Sequence, residues 1–157
     1  MQGPASVRVR ASAVCRRGDA LLTVRAIDPV GGRRYLFLPG GAIEPGETPA
    51  AAAERETLEE TGHAVTIDPA VAAVERSYTF DWAGRTVACH TTFCRARLVD
   101  PTAAARVVRD ADYLHGVEWV DLSRLDEAFD YHDTIRDAVR AVLAGWHTAP
   151  YGERQKT

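Results

Sequence analysis

No stretch of the 157-residue chain is apolar over the roughly 18 residues that a membrane-crossing helix needs. Its first residues also lack the basic-then-apolar order of a secretory leader. Positive charge is not in excess: 19 Lys and Arg stand against 22 Asp and Glu, a net charge of −3. That balance gives no electrostatic footprint for duplex nucleic acid, which is met by basic patches and a high pI. Cysteine is scarce and odd in number, Cys15, Cys89 and Cys94, so no closed disulfide framework is expected. Cys89-His90 with Cys94 does not make a zinc site either. Arg85 to Leu98 reads as a strand, on which Cys89 and Cys94 have opposite parity and face opposite sides. Buried free thiols are the expectation. Repeats, linkers and low-complexity tracts are missing as well. The expectation is one domain spanning residues 1–157, cytoplasmic, bound neither to membrane nor to duplex nucleic acid.

What is present suits a globular fold, with 46% hydrophobic and 26% charged residues. Val7 to Cys15 alternates apolar and polar, as a half-buried strand does. Arg16-Arg17-Gly18-Asp19 turns the chain into a second strand, Ala20 to Ile27, and the two are expected to pair as a hairpin. The breakers Asp28-Pro29-Val30-Gly31-Gly32 mark a loop, and Tyr35 to Leu38 a short buried strand running into Pro39-Gly40-Gly41. Thr48-Pro49 supplies an N-cap and a first helical residue. Gly62 stands where a left-handed C-cap belongs. Ala50, Ala53, Thr57 and Leu58 are the expected apolar side of that helix. A strand within Val65 to Phe80, a turn at Asp81-Trp82-Ala83-Gly84 and a long strand Arg85 to Val99 follow. Asp100 to Gly116 reads as an irregular loop, Val117 to Val120 as a short strand, and Ser123 as the start of a helical turn. Asp133 to Trp146 is the terminal amphipathic helix, and about 148–157 a flexible tail.

The chemistry is concentrated between Gly41 and Gly62. Glu56, Glu59 and Glu60 recur at i, i+3 and i+4, which places them in one helical sector about 100° wide. Like charges at that spacing repel, so such a cluster implies a cation to offset it. Oxygen-only ligands suit hard ions, Mg²⁺ and Mn²⁺, that bridge carboxylates to phosphates. The whole pattern is Gly41, Glu47, Arg55-Glu56, Glu59-Glu60 and Gly62, preceded by Leu38-Pro39-Gly40. In it the chain resembles the Nudix hydrolases, matching each fixed charged and glycine position of their box. Thr57 and His63 depart from it, standing where that family usually has aliphatic residues.

The resemblance implies an α/β fold, an αβα sandwich with a mixed β-sheet between helices, and Mg²⁺-dependent cleavage of a pyrophosphate bond, with Mn²⁺ as a substitute. The implied substrate is a small nucleoside diphosphate derivative, (d)NTPs first among them. Coenzyme A or dinucleotide pyrophosphatases, or a nucleotide sensor without catalysis, are the alternatives. By the same resemblance Glu56, Glu59, Glu60 and the Gly40 carbonyl hold metal. Arg55 and Glu47 complete the catalytic motif, and as opposite charges they are expected to pair and brace the loop against the helix. The general base is either a box glutamate or an acid of a later segment, Asp110, Asp112 or Glu118. Tyr78, Phe80 and Trp82 alternate and so share a face; with Asp112 they are the candidate substrate-binding residues, core packing being the other reading of the rings. His90, His115 and His132 show no metal-ligand spacing. A homodimer is a further expectation.

Overall fold

The computed structural model describes residues 6–106 and 114–147. The middle of the expected Asp100–Gly116 loop, with Asp110 and Asp112, and the expected tail from 148 lie outside the described residues.

Eight strands are described: β1 (Arg8–Arg17), β2 (Ala20–Ile27), β3 (Arg34–Phe37), β4 (Gly40–Ala42), β5 (Val65–Ile67), β6 (Val74–Trp82), β7 (Arg85–Leu98) and β8 (Leu114–Asp121). Helix α1 (Pro49–Thr61) lies between β4 and β5, and α2 (Leu125–Ala128) and α3 (Asp133–Leu143) close the described chain. The strands run β3-β2-β1-β7-β5, with β4 also on β1, β6 on β7 and β8 on β2. The β1–β7 pair is parallel and the other pairs are antiparallel, so the sheet is mixed.

Residue alternation on β1 explains the layers. Ala11, Ala13 and Cys15 belong to one buried cluster with Ala52 and Ala53 of α1. Val14 belongs to another, with Leu125, Phe129, Ala138, Val139 and Val142. A strand covered on both faces by helices is the centre of an α/β/α sandwich.

The expected hairpin forms, but briefly. Only Arg16 and Arg17 pair with Leu21 and Ala20. Beyond them the strands part, β1 taking β4 as neighbour and β2 taking β3. The segment Arg34–Ala42 thus fills the opening and carries its glycines alongside β1.

Several boundaries differ from the pattern in the sequence. The expected turn at residues 81–84 is only Ala83-Gly84, both with positive φ, because Asp81 and Trp82 still pair with Thr86 and Arg85. The Asp28 carboxylate accepts from the Ala83 N–H at 3.2 Å and pins this tip to the loop after β2. Strand β8 begins at Leu114 rather than Val117, since its ladder with β2 reaches Ala26 across a bulge. The helical turn expected at Ser123 is capped instead by Asp121, whose carboxylate accepts from the Ser123 N–H at 2.9 Å. Helix α3 ends at Leu143, yet Trp146 still folds onto the core. All three cysteines are buried free thiols, and burial pushes Cys15 up to about 12.

Candidate active site

Helix α1 is fixed at both ends as its sequence requires. Thr48 accepts from the Ala51 N–H at 3.1 Å, and left-handed Gly62 donates to the Leu58 carbonyl at 2.9 Å. Its buried face is only in part the one expected: Ala53 and Thr57 are on it, Ala50 and Leu58 are not. Ala52, Ala53, Thr57 and Thr61 are buried, whereas Ala50 and Leu58 are only half-buried. Small side chains let the helix lie close on β1. The Thr57 and Thr61 hydroxyls satisfy themselves on the carbonyls of Ala53 and Thr57, at 2.7 and 2.6 Å. His63, the other departure from the box pattern, packs edge-on against Trp119 at 5.5 Å.

This rotation sets the carboxylates. Glu60 follows Ala53 by two helical turns and so points along the buried side. It accepts from the Gly40 N–H at 3.1 Å. Glu56 lies against Gly41, where an added Cβ would stand 2.5 Å from the carboxyl carbon. Burial first, and then the Glu56 charge, hold Glu60 well above the usual carboxylate range, opposed by the Gly40 N–H and Arg10. Glu59 is exposed and turned toward Arg55, at 3.2 Å.

Arg55 ties the loop to the helix. Its Nε and Nη2 grip both oxygens of Glu47 at 2.8 and 2.9 Å, Nη2 donates to the Ala42 carbonyl at 3.0 Å, and Nη1 reaches Glu56 at 2.9 Å. The fork matches carboxylate geometry, and these bonds hold Glu47 down at about 2. Among the described residues, no three acid, histidine or cysteine side chains converge on one point.

The remaining candidates separate. Glu118 pairs with Arg25 at 3.3 Å and lines a cleft of about 480 Å³ in which no residue of the Gly41–Gly62 motif takes part. Phe80 and Trp82 join a half-buried ring cluster that the sequence pattern did not reveal. Tyr35 and Phe37 of β3 stack at 5.3 Å, and both meet Phe80, Trp82 and Tyr131 with centroids within 6.0 Å. The available signal was the Tyr35-x-Phe37 alternation, but nothing in it names partners on β6 or beyond α2. Tyr78 is held deeper, its hydroxyl 2.8 Å from Thr91 Oγ1 and its ring against the core. His132 serves as a cap: Nδ1 faces the Ile135 N–H at 3.4 Å and Nε2 lies 2.7 Å from the Thr79 carbonyl.

A family model for the NUDIX domain matches residues 6–142. The chain belongs to the NUDIX family. It is accordingly a pyrophosphohydrolase, an enzyme acting on acid anhydrides. Solved structures agree in fold. A NUDIX hydrolase from Nitrosomonas europaea has 23% identity and a TM-score of 0.66, over 89% of this chain and 90% of that one. A C. elegans Ap4A hydrolase in a binary complex has 23% identity and a TM-score of 0.64, over 89% and 100%. A MutT NUDIX hydrolase from Burkholderia pseudomallei has 23% identity and a TM-score of 0.60, over 87% and 98%. No curated protein matches at the level of sequence. The Nudix helix is therefore α1, and among its described helices the chain has none long and apolar enough to cross a membrane.

Proposed function

We propose that the chain hydrolyses the diphosphate bond of nucleoside diphosphate derivatives with Mg²⁺, Mn²⁺ serving as a substitute. The carrying observation is the meeting of Gly40-Gly41 with Glu60 and Glu56, directly beside β1. The donors there fit a hard divalent cation. They are oxygens only, and two carboxylates face each other, one of them held above the usual carboxylate range by burial and by the charge of the other. Glu56 and Glu60 are the inner ligands in this reading, with Glu59 and the Gly40 carbonyl as further donors. When bound, such an ion neutralises phosphate oxygens and lowers the pKa of a bound water.

The protein's own contribution is position. Arg55 and Glu47 hold the end of β4, next to Gly41, and the loop after it against the Nudix helix, which fixes Glu56 and Glu60 relative to the glycines. The ring cluster offers flat apolar surface for a base, a contact of roughly 1–3 kcal/mol when a ring is stacked. Phe80 and Trp82, with Tyr35, Phe37 and Tyr131, are its components, and Tyr78 supports them from the core side. The base that activates water is read as a box glutamate, Glu56 or Glu60, which stand together at the site, whereas Glu118 lies on a separate cleft and Asp110 and Asp112 are outside the described residues.

The deciding experiment is a panel of nucleoside triphosphates, dinucleoside polyphosphates and nucleoside diphosphate conjugates incubated with Mg²⁺ or Mn²⁺. Phosphate is read after coupling to a pyrophosphatase or a phosphatase. Metal-dependent turnover that falls by orders of magnitude in Glu60→Gln is the expected result. Turnover without added metal, or undiminished in that variant, overturns the reading.

A further inference from the structure

Arg10 stands out among the arginines. The other half-buried arginines are all engaged: Arg16 by Asp19 and the Trp146 carbonyl, Arg55 by Glu47, Arg95 by the Val142 carbonyl, and Arg136 by Asp133. Arg10 is half-buried too, but its partner is the neutral Tyr78 hydroxyl, and among the described residues no carboxylate stands within ion-pair distance of it. A guanidinium drawn partly out of water without a counter-charge is costly unless an anion visits it.

Strand register says where it lies. Arg10 pairs across β4 with Ala42, next to the box glycine Gly41, and across β7 with Thr91, the residue bonded to the Tyr78 hydroxyl. It therefore sits between the box glycines on β4 and the Tyr78 side of β7. The electrostatics agree. Burial moves Tyr78 and Tyr131 upward, and at both the Arg10 charge opposes it, with a hydrogen bond between Arg10 and the hydroxyl as well at Tyr78.

We propose that Arg10 grips the phosphate attached to the nucleoside, fixing the substrate with its base on the rings and its scissile diphosphate over the Nudix helix. This rests on the hydrolase reading above and adds to it a direction. The nucleoside phosphate points inward to Arg10, and the group beyond the second phosphate leaves outward. The fork geometry of arginine suits two oxygens of one phosphate, whereas a neutral nucleoside gives it nothing to hold.

The test is a binding measurement and needs no turnover. The four common ribonucleoside monophosphates and their nucleosides are titrated with Mg²⁺ into the wild type, Arg10→Gln and Arg10→Lys by calorimetry, with Mn²⁺ affinity measured alongside. The expected result is a loss of tenfold or more in monophosphate affinity for Arg10→Gln, with nucleoside and Mn²⁺ affinities and the melting temperature unchanged. Arg10→Lys recovers part of the loss, keeping the charge without the fork. Equal loss for nucleoside and monophosphate, no loss for either, or no monophosphate binding to the wild type overturns the proposal. So does a shift in Mn²⁺ affinity alone, which would make Arg10 a partner of Glu60. An Arg10-dependent phosphate increment in a protein that hydrolyses nothing on the panel would sink the hydrolase reading and leave this one standing.

Discussion

Arg55 and Glu47 are eight residues apart in the chain and meet because the loop after β4 folds back over the first turns of α1. Their pairing was legible from the motif as opposite charges at fixed spacing. Its consequence for pH is specific. The Arg55 bonds, and then the Glu44 N–H, lower Glu47 from 4.5 to about 2 in the folded protein. The folded state then binds fewer protons than the unfolded chain below pH 4.5. The stabilisation is full above that value and is lost as pH falls toward 2. Glu47→Gln is therefore expected to lower the melting temperature at neutral pH, where that stabilisation is full, and to flatten its fall between those limits, so that variant and wild type converge near pH 2. Arg55→Ala removes the partner and leaves Glu47 and Glu56 unmatched, which lowers stability. Denaturant unfolding should show that loss together with lowered activity. Lost activity with unchanged stability and metal affinity would move Arg55 from support to substrate. Arg10 was not legible in the same way. In the sequence it is one more polar residue of an alternating strand, and its meaning comes from neighbours on β4 and β7.

At the level of elements, the caps of α1 could be read from Thr48, Pro49 and Gly62, since each answers to local backbone chemistry. Its buried face could not be read from hydrophobicity, because the sheet selects close approach rather than bulk and takes Ala52, Ala53, Thr57 and Thr61 over Leu58. Two glycines of the motif differ accordingly in what they protect. Gly62 has φ 74°, and a Cβ there would run into the Arg106 backbone, which cannot swing aside as a side chain can. Gly62→Ala is expected to cost at least about 1–2 kcal/mol of stability, the penalty of left-handed backbone alone. Gly41 has no positive φ, and the nearest atoms its Cβ would meet are the flexible end of Glu56. Gly41→Ala should keep its melting temperature and lose metal affinity and turnover as Glu56 is displaced. A calorimetric scan beside a Mn²⁺ titration separates the two. If Gly41→Ala instead unfolds early and binds metal normally, the glycine serves the fold and not Glu56.

Across the whole molecule, the box supplies what every diphosphate substrate shares, so discrimination has to come from residues outside it. The ring cluster gathers side chains from β3, β6 and the segment after α2, far apart in sequence, which is why periodicity exposed only the Tyr78–Phe80–Trp82 face. The structure also divides that face. Tyr78 is bonded to Thr91 and packed on the core, whereas Trp82 lies at the end of β6 among Tyr35, Phe37 and Phe80. Tyr78→Ala should therefore lower the melting temperature and reduce kcat/KM for all substrates alike. Trp82→Ala should leave metal affinity unchanged and shift the ratio of kcat/KM between two nucleotides of different base by about tenfold, the value of one stacked ring. Steady-state kinetics on a purine and a pyrimidine substrate of equal phosphate length make the comparison. Equal loss on both would place Trp82 in the packing of the hairpin end and leave the cleft lined by Arg25, Arg34 and Tyr131 as the place where substrates are told apart.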